Sequence, residues 1–366
     1  MSSSQEGAKE LASRIESQLE RPADRHGFKI AVICALPLEA DAVDAVFDFG
    51  WDSLSFGKAQ GDPNAYSTGT IEGHNVVLAH MPGMGKANAA AVAANIRSSF
   101  PNIGLVLVVG ACGCSPFTPD GDEIILGDVI ISTGVVQYDL GRRFPEQFVR
   151  KDTLSESLGR PNAEIRSFLA KLRCFRGRKL LQDRMARHIA ILQHESGLAA
   201  HYPGTKHDML FESAYRHVSD GKLCNDCGCD GELRPRSRLL QDSPQPMVYF
   251  GTFASGDTVV KSGQDRDNLV RQEDVIGFEM EGAGVWDSFP CVIIEGACDY
   301  ADSHKVKEWQ RYAAATAAAC MKAFLESWTP SSIQSGKILC ATTPIYLLTD
   351  KYRAKGDQWP DDQPWL

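Results

Sequence analysis

The stretch Phe28-Lys29-Ile30-Ala31-Val32-Ile33-Cys34-Ala35-Leu36-Pro37-Leu38-Glu39 decides the fold class. Residues 28–35 are apolar over one strand's length, the pattern of a strand buried on both faces. Pro37 then suits the first turn of a helix carrying residues 39–47, because its missing N–H would have no partner there. The pairing repeats outward. Apolar runs stand at 75–80, 104–110 and 128–132, with an alanine-rich helical segment at 86–96 between the first two. It resumes at 248–254, at Phe278 followed by a short helix from Glu281, at the strand 291–297 and at the long alanine-rich helix 308–328. This alternation predicts an α/β protein whose mixed or parallel sheet is flanked by helices.

The rest of the chain reads differently. Residues 1–27 are polar and predict a flexible or loosely docked arm, and residues 329–366, rich in Pro, Ser and Asp, predict an extended tail. Between Phe144 and Pro246 charges, histidines and cysteines cluster around helical patterns at 162–173 and 179–193, which predicts a helical insertion at about 175–245 within a body of 28–328.

With 366 residues, 43% of them hydrophobic, the chain has apolar material for a substantial core. Its 38 Lys+Arg against 47 Asp+Glu give a net charge of −9, which argues against a nucleic-acid polymer as partner. No run nears the roughly 20 apolar residues of a membrane span, and the start lacks an apolar leader core, so a cytoplasmic location is expected. Eleven cysteines lie largely in apolar runs and argue against a disulfide framework.

Glycine-rich turns end several strands: Pro82-Gly83-Met84-Gly85-Lys86, Gly110-Ala111-Cys112-Gly113-Cys114 and Ser255-Gly256-Asp257. Such turns admit a ligand close to the backbone, where open α/β sheets collect their ligands. His80 and Ala87 stand where a P-loop needs Gly and Ser or Thr, which excludes that motif. Carboxylates sit beside the turns: Glu39, Glu279 and Glu281 flanking Met280, and Asp299 with Asp302. Partly desolvated, they are candidate general acids or bases; Glu39 and Asp302 equally suit helix capping.

Jointly, Ala35-Leu36-Pro37-Leu38-Glu39, Gly83-Met84-Gly85-Lys86, Gly110-Ala111-Cys112-Gly113, Gly127-Asp128-Val129, Ser255-Gly256-Asp257, Phe278-Glu279-Met280-Glu281 and Cys298-Asp299-Tyr300-Ala301-Asp302 resemble the purine nucleoside phosphorylase and methylthioadenosine/S-adenosylhomocysteine nucleosidase superfamily. The wording around 78–90 and 297–319 is similar to nucleoside-phosphorylase-like domains of filamentous fungi. The resemblance implies a three-layer α/β/α fold with a central mixed, partly barrel-like sheet, and a homo-oligomer acting on a small purine nucleoside or nucleotide. It implies Asp299 at purine N7, Glu281 on the ribose hydroxyls with Met280 packed on the sugar, and Glu39 as the base that activates water. Gly85, Cys112, Gly113, Val259, Val260 and Glu279 would complete the binding site.

Glu39 occupies the side from which a phosphorylase would bring phosphate. A carboxylate there repels phosphate and activates water, which predicts a nucleosidase without cofactor. The other readings are a phosphate-dependent phosphorylase, an AMP or ATP nucleosidase of immune type, and a purine-ribose sensor without turnover. Glu295 stands where the family commonly has arginine and Ala111 where nucleosidases often have serine, so an altered water-positioning network is expected.

In the insertion, Lys206, His207, Arg216 and His217 are candidates for a 5′-phosphate; the alternative is that Arg216 and His217 pair with Asp208 and Glu212. Cys224-x2-Cys227-x-Cys229, near His217, supplies three of the four ligands a structural zinc takes. Such an ion would clamp the insertion without catalysing.

Overall fold

The opening run becomes β1 (Ile30–Cys34), buried at every position, and Pro37 begins α1 (Pro37–Asp44). This is a computed structural model, describing residues 21–330 apart from 154–155, 220–221, 223, 242 and 306. Of the arm and tail expected at the two ends, residues 1–20 and 331–366 lie outside the described residues. The remaining strands are β2 (Phe49–Trp51), β3 (Ala65–Ile71), β4 (His74–His80), β5 (Leu105–Cys114), β6 (Val129–Gln137), β7 (Gly141–Arg143), β8 (Phe148–Arg150), β9 (Val248–Ser255), β10 (Val275–Glu279) and β11 (Cys291–Asp299). The other helices are α2 (Lys86–Ser99), α3 (Ala163–Arg173), α4 (Phe175–His194), α5 (Cys224–Cys227), α6 (Gly263–Glu273), α7 (Gly282–Trp286) and α8 (Glu308–Leu325).

Nine strands form one sheet in the order β10-β9-β6-β11-β5-β1-β4-β3-β2, and β7 and β8 make a separate hairpin. The pairing is mixed: β1 runs parallel to β4 and β5, β11 parallel to β5 but antiparallel to β6. β10 also pairs antiparallel with β5, Gly277 opposite Cys114 and Phe278 opposite Gly113. The strands β5, β11, β6, β9 and β10 therefore close on themselves, and the other four stay open, so the sheet is partly a barrel, as expected. Closure brings the ends of β5, β10 and β11 to one rim, with Gly113 registered against both Phe278 and Asp299.

Helices cover the sheet in two groups. α8 lies on β5 and β11 and carries α1 and α4; α7 lies on β6 and β11 and carries α2. Alanine makes this close: a Cβ at Gly296 of β11 would lie 2.1 Å from the Ala313 carbonyl oxygen of α8, so only glycine admits the helix there. The insertion joins the same core, because Leu181, Met185, Ile189 and Leu192 of α4 repeat at helical spacing and are buried. The described cysteines are all unpaired, and no helix among the described residues is long and apolar enough to cross a membrane.

Candidate active site

Glu39, on the first turn of α1, is 5% exposed and turned back over the end of β1. Its Oε2 accepts from the N–H groups of Ala35 at 3.0 Å and Leu36 at 2.9 Å, and its Oε1 accepts from Ala111 N–H at 3.0 Å. Leu36, at the N-cap, has no side-chain acceptor, so Glu39 itself satisfies the N–H groups at the entry to α1, and capping and site placement are one arrangement. Gly110 is required for it: a Cβ there would stand 2.5 Å from Glu39 Oε1. Burial, strengthened by the charge of Glu281, pushes the Glu39 carboxyl up to about 7, against the three backbone donors that favour its charged form.

Glu279 and Glu281 leave the end of β10 together. Glu281 Oε1 accepts from Gly85 N–H at 3.0 Å, tying β10 to the first glycine-rich turn, and Oε2 accepts from Met280 N–H at 3.2 Å. Glu279 Oε2 accepts from the N–H groups of Glu281 at 2.7 Å and Gly282 at 2.6 Å, and Oε1 is buried with no hydrogen-bond partner among the described residues. Burial first, and then the Glu281 charge, pushes Glu279 up to about 7; burial also raises Glu281. Glu295, on β11, is raised well above the usual carboxylate range by burial and by Glu39, Glu279 and Glu281. Four carboxyls crowded out of water cannot all be ionised near neutrality.

Asp299 ends β11. Its Oδ1 accepts from Ala301 N–H at 2.8 Å and from Lys305 Nζ at 2.7 Å, and the Cys298 thiol approaches Oδ2 at 3.5 Å. Burial works against the Lys305 charge, yet Asp299 beside it raises the ammonium above its ordinary value.

These groups enclose one cavity of about 210 Å³. Of the residues expected there, Glu39, Cys112, Gly113, Val259, Val260, Glu279, Met280, Glu281 and Asp299 line it, together with Ala111 and Glu295. Gly85 acts from behind through its N–H on Glu281. Met84 of the first glycine-rich turn also lines it, as do Lys305, Tyr138 and Gln310, which were not singled out in the sequence. Lys86, on the first turn, binds Asp139 at 2.5 Å and lies 3.6 Å from Asp257, so the first and third glycine-rich turns are held together. A larger cleft of about 560 Å³, at Thr118 and Tyr249, shares none of the five carboxylates.

The phosphate candidates lie elsewhere. Arg216 is exposed and lines a separate cavity with Lys261 and Ser303, and His207 pairs with Glu308 at 3.2 Å. His217 is buried beside Cys227, and neither it nor Arg216 lines the carboxylate cavity. Asp208 instead accepts from Tyr300 OH at 2.6 Å, and Glu212 pairs with Arg234 at 3.4 Å.

Known proteins resemble this chain in sequence and in fold. An NLR-like protein of Hyaloscypha variabilis is 33% identical over 92% of this chain, which spans only 33% of that relative's length. The 5′-methylthioadenosine/S-adenosylhomocysteine nucleosidase of Mycobacterium bovis is 23% identical over 81% of this chain and 95% of its own. Among solved structures, futalosine hydrolase of Helicobacter pylori is similar with a TM-score of 0.52 at 16% identity, covering 82% of this chain and 99% of the hydrolase. The methylthioadenosine/S-adenosylhomocysteine nucleosidase of the same organism, solved in complex with a substituted pyrrolidinol, gives 0.52 at 17% identity over 82% and 99%. The family model described as the phosphorylase superfamily matches residues 29–326; the chain belongs to the phosphorylase superfamily.

Proposed function

We propose that this protein hydrolyses the N-glycosidic bond of a purine nucleoside of the adenosine type, releasing free base and ribose with water as the nucleophile. The convergence of Glu39, Glu281 and Asp299 on one cavity carries this reading. Breaking the bond makes the ribose oxocarbenium-like and leaves electrons on the base, so the site must accept positive charge at the sugar and assist departure at the purine. Glu281 serves the ribose hydroxyls. Glu39, held near neutrality, takes the proton of the attacking water. Asp299 meets the purine at N7, and Lys305 beside it places positive charge where the departing base becomes electron-rich.

The cavity's charge favours water over phosphate. Lys305 is the one cation among its described lining residues, and it is already engaged by Asp299. Five carboxyl groups line the same space, and a phosphate dianion has no guanidinium fork to receive it. The relatives named as nucleosidases and a hydrolase are consistent with this chemistry. The test incubates the purified protein with adenosine, inosine and guanosine, with and without phosphate, and follows free base by chromatography. Base release independent of phosphate, with free ribose as co-product, is expected; ribose 1-phosphate, or no release without phosphate, overturns the reading.

A further inference from the structure

Outside the carboxylate cavity, the thiols of Cys224, Cys227 and Cys229 meet the imidazole of His217. Donor atoms of His217, Cys224 and Cys229 all lie within 4.8 Å of one another. Cys227 Sγ is 3.2 Å from Cys229 Sγ and 3.4 Å from His217 Nε2. His217 is 8% and Cys224 4% exposed, and no disulfide joins the sulfurs. The proposed catalysis uses none of these four side chains.

We propose that His217, Cys224, Cys227 and Cys229 form a structural site for one zinc(II) ion. Tetrahedral zinc, at about 2.3 Å from sulfur and 2.0 Å from nitrogen, sets its ligand atoms about 3.5–3.8 Å apart. The Cys227–His217 contact falls within about 0.2 Å of that spacing; Cys227 Sγ sits about half an ångström too close to Cys229 and outside the group that His217, Cys224 and Cys229 form, so its side chain turns towards the ion on binding. Three thiols and one imidazole are a soft, closed ligand set, which suits zinc and leaves no position for a reactive water. On binding, zinc takes the place of the thiol protons, which pass to solvent. Sequence spacing shows three of the four ligands; the fourth precedes the cysteines, and the fold brings its imidazole onto the Cys227 sulfur.

The ion would brace more than the insertion. His217 N–H donates to Ser303 Oγ at 2.9 Å, and the His217 ring meets His304 edge-on at 5.3 Å. His304 is stacked on Phe211 at 4.2 Å. Lys305, next in the chain, reaches Asp299. One short segment thus joins the thiol cluster to the Asp299–Lys305 pair.

The test reads metal directly and does not depend on the nucleosidase reading. The full chain, expressed with zinc and purified without chelators, is expected to carry about one zinc per chain by elemental analysis. Replacement by cobalt(II) is expected to give the intense visible bands of tetrahedral cobalt and thiolate-to-cobalt charge transfer in the near ultraviolet. Cys224→Ser/Cys229→Ser is expected to lose both signals. A strong chelator is expected to lower the melting temperature, and added zinc to restore it. Background zinc in the unaltered chain, an octahedral cobalt spectrum, or a Cys227–Cys229 disulfide in the purified protein each overturns the proposal, whether or not the double variant folds.

Discussion

Replacing Glu39 by glutamine separates two effects that the structure places on one side chain. In the folded protein this carboxyl titrates near 7, against an ordinary 4.5, with burial as the main cause. A raised acid binds its proton more tightly folded than unfolded, so its contribution to stability is full below 4.5 and is lost as pH rises through about 7. At about 1.4 kcal/mol per pH unit, that loss is about 3 kcal/mol. Glutamine does not titrate. It does, however, turn an NH2 towards one of the backbone donors now shared by two oxygens, a pH-independent cost of about 1–3 kcal/mol. The unfolding free energy of Glu39→Gln, relative to the unaltered chain, should therefore climb by about 3 kcal/mol between pH 4.5 and 8, from a deficit towards parity or gain. Urea denaturation at a series of pH values measures it; titrating groups away from the cavity cancel in the difference, while Glu281 and Glu295, which repel the Glu39 charge, ionise more readily once it is gone and offset part of the climb. A flat difference would refute the claim that Glu39 is desolvated. In the same variant the proposed hydrolysis should fall by about 10²–10⁴-fold.

Gly110→Ala should push Glu39 out of its cradle, because the new Cβ would lie 2.5 Å from Oε1; thermal melts and base-release rates should both fall, and an unchanged rate would contradict the placement of Glu39. Asp299→Asn should lower turnover by about 10²-fold or more with little change in the melting temperature, and Lys305→Met should lower turnover by less, measured by steady-state kinetics. Arg238→Met should cost about 3–5 kcal/mol in urea denaturation near neutral pH, because Asp128 is fully buried and would lose its guanidinium partner. That deficit should shrink in acid as Asp128 takes up a proton.

The β1–α1 unit was legible because a doubly buried strand needs an unbroken apolar run and Pro37 marks the helix start. β3 was not: Ser67, Thr68, Gly69 and Thr70 carry no alternating apolar signal, and the strand exists by pairing with β4. α6 was missed because nine of its eleven residues spell a segment without apolar side chains around Leu269 and Val270, and its buried face is held by Arg266, which donates to the Tyr300 carbonyl at 2.8 Å. Among site residues, the acids stood in motifs at strand ends. Lys305 stood in none, and its role emerges only when the chain after Asp299 turns back on itself. For His217 the sequence offered a phosphate, an acidic partner or a neighbouring cysteine cluster, and only the fold, which buries the ring beside Cys227, separates them.

The seam between β5 and β10 has a further consequence for how this protein fails. Gly113 and Phe278 face each other across it, from chain segments far apart, and Asp299 is the next neighbour on the other side of β5. A molecule whose ring has opened keeps most of its secondary structure yet loses the carboxylate cavity on which the proposed hydrolysis depends. Pocket occupancy therefore reports on tertiary completion, and damage at that joint would silence the protein well before spectroscopy registered unfolding.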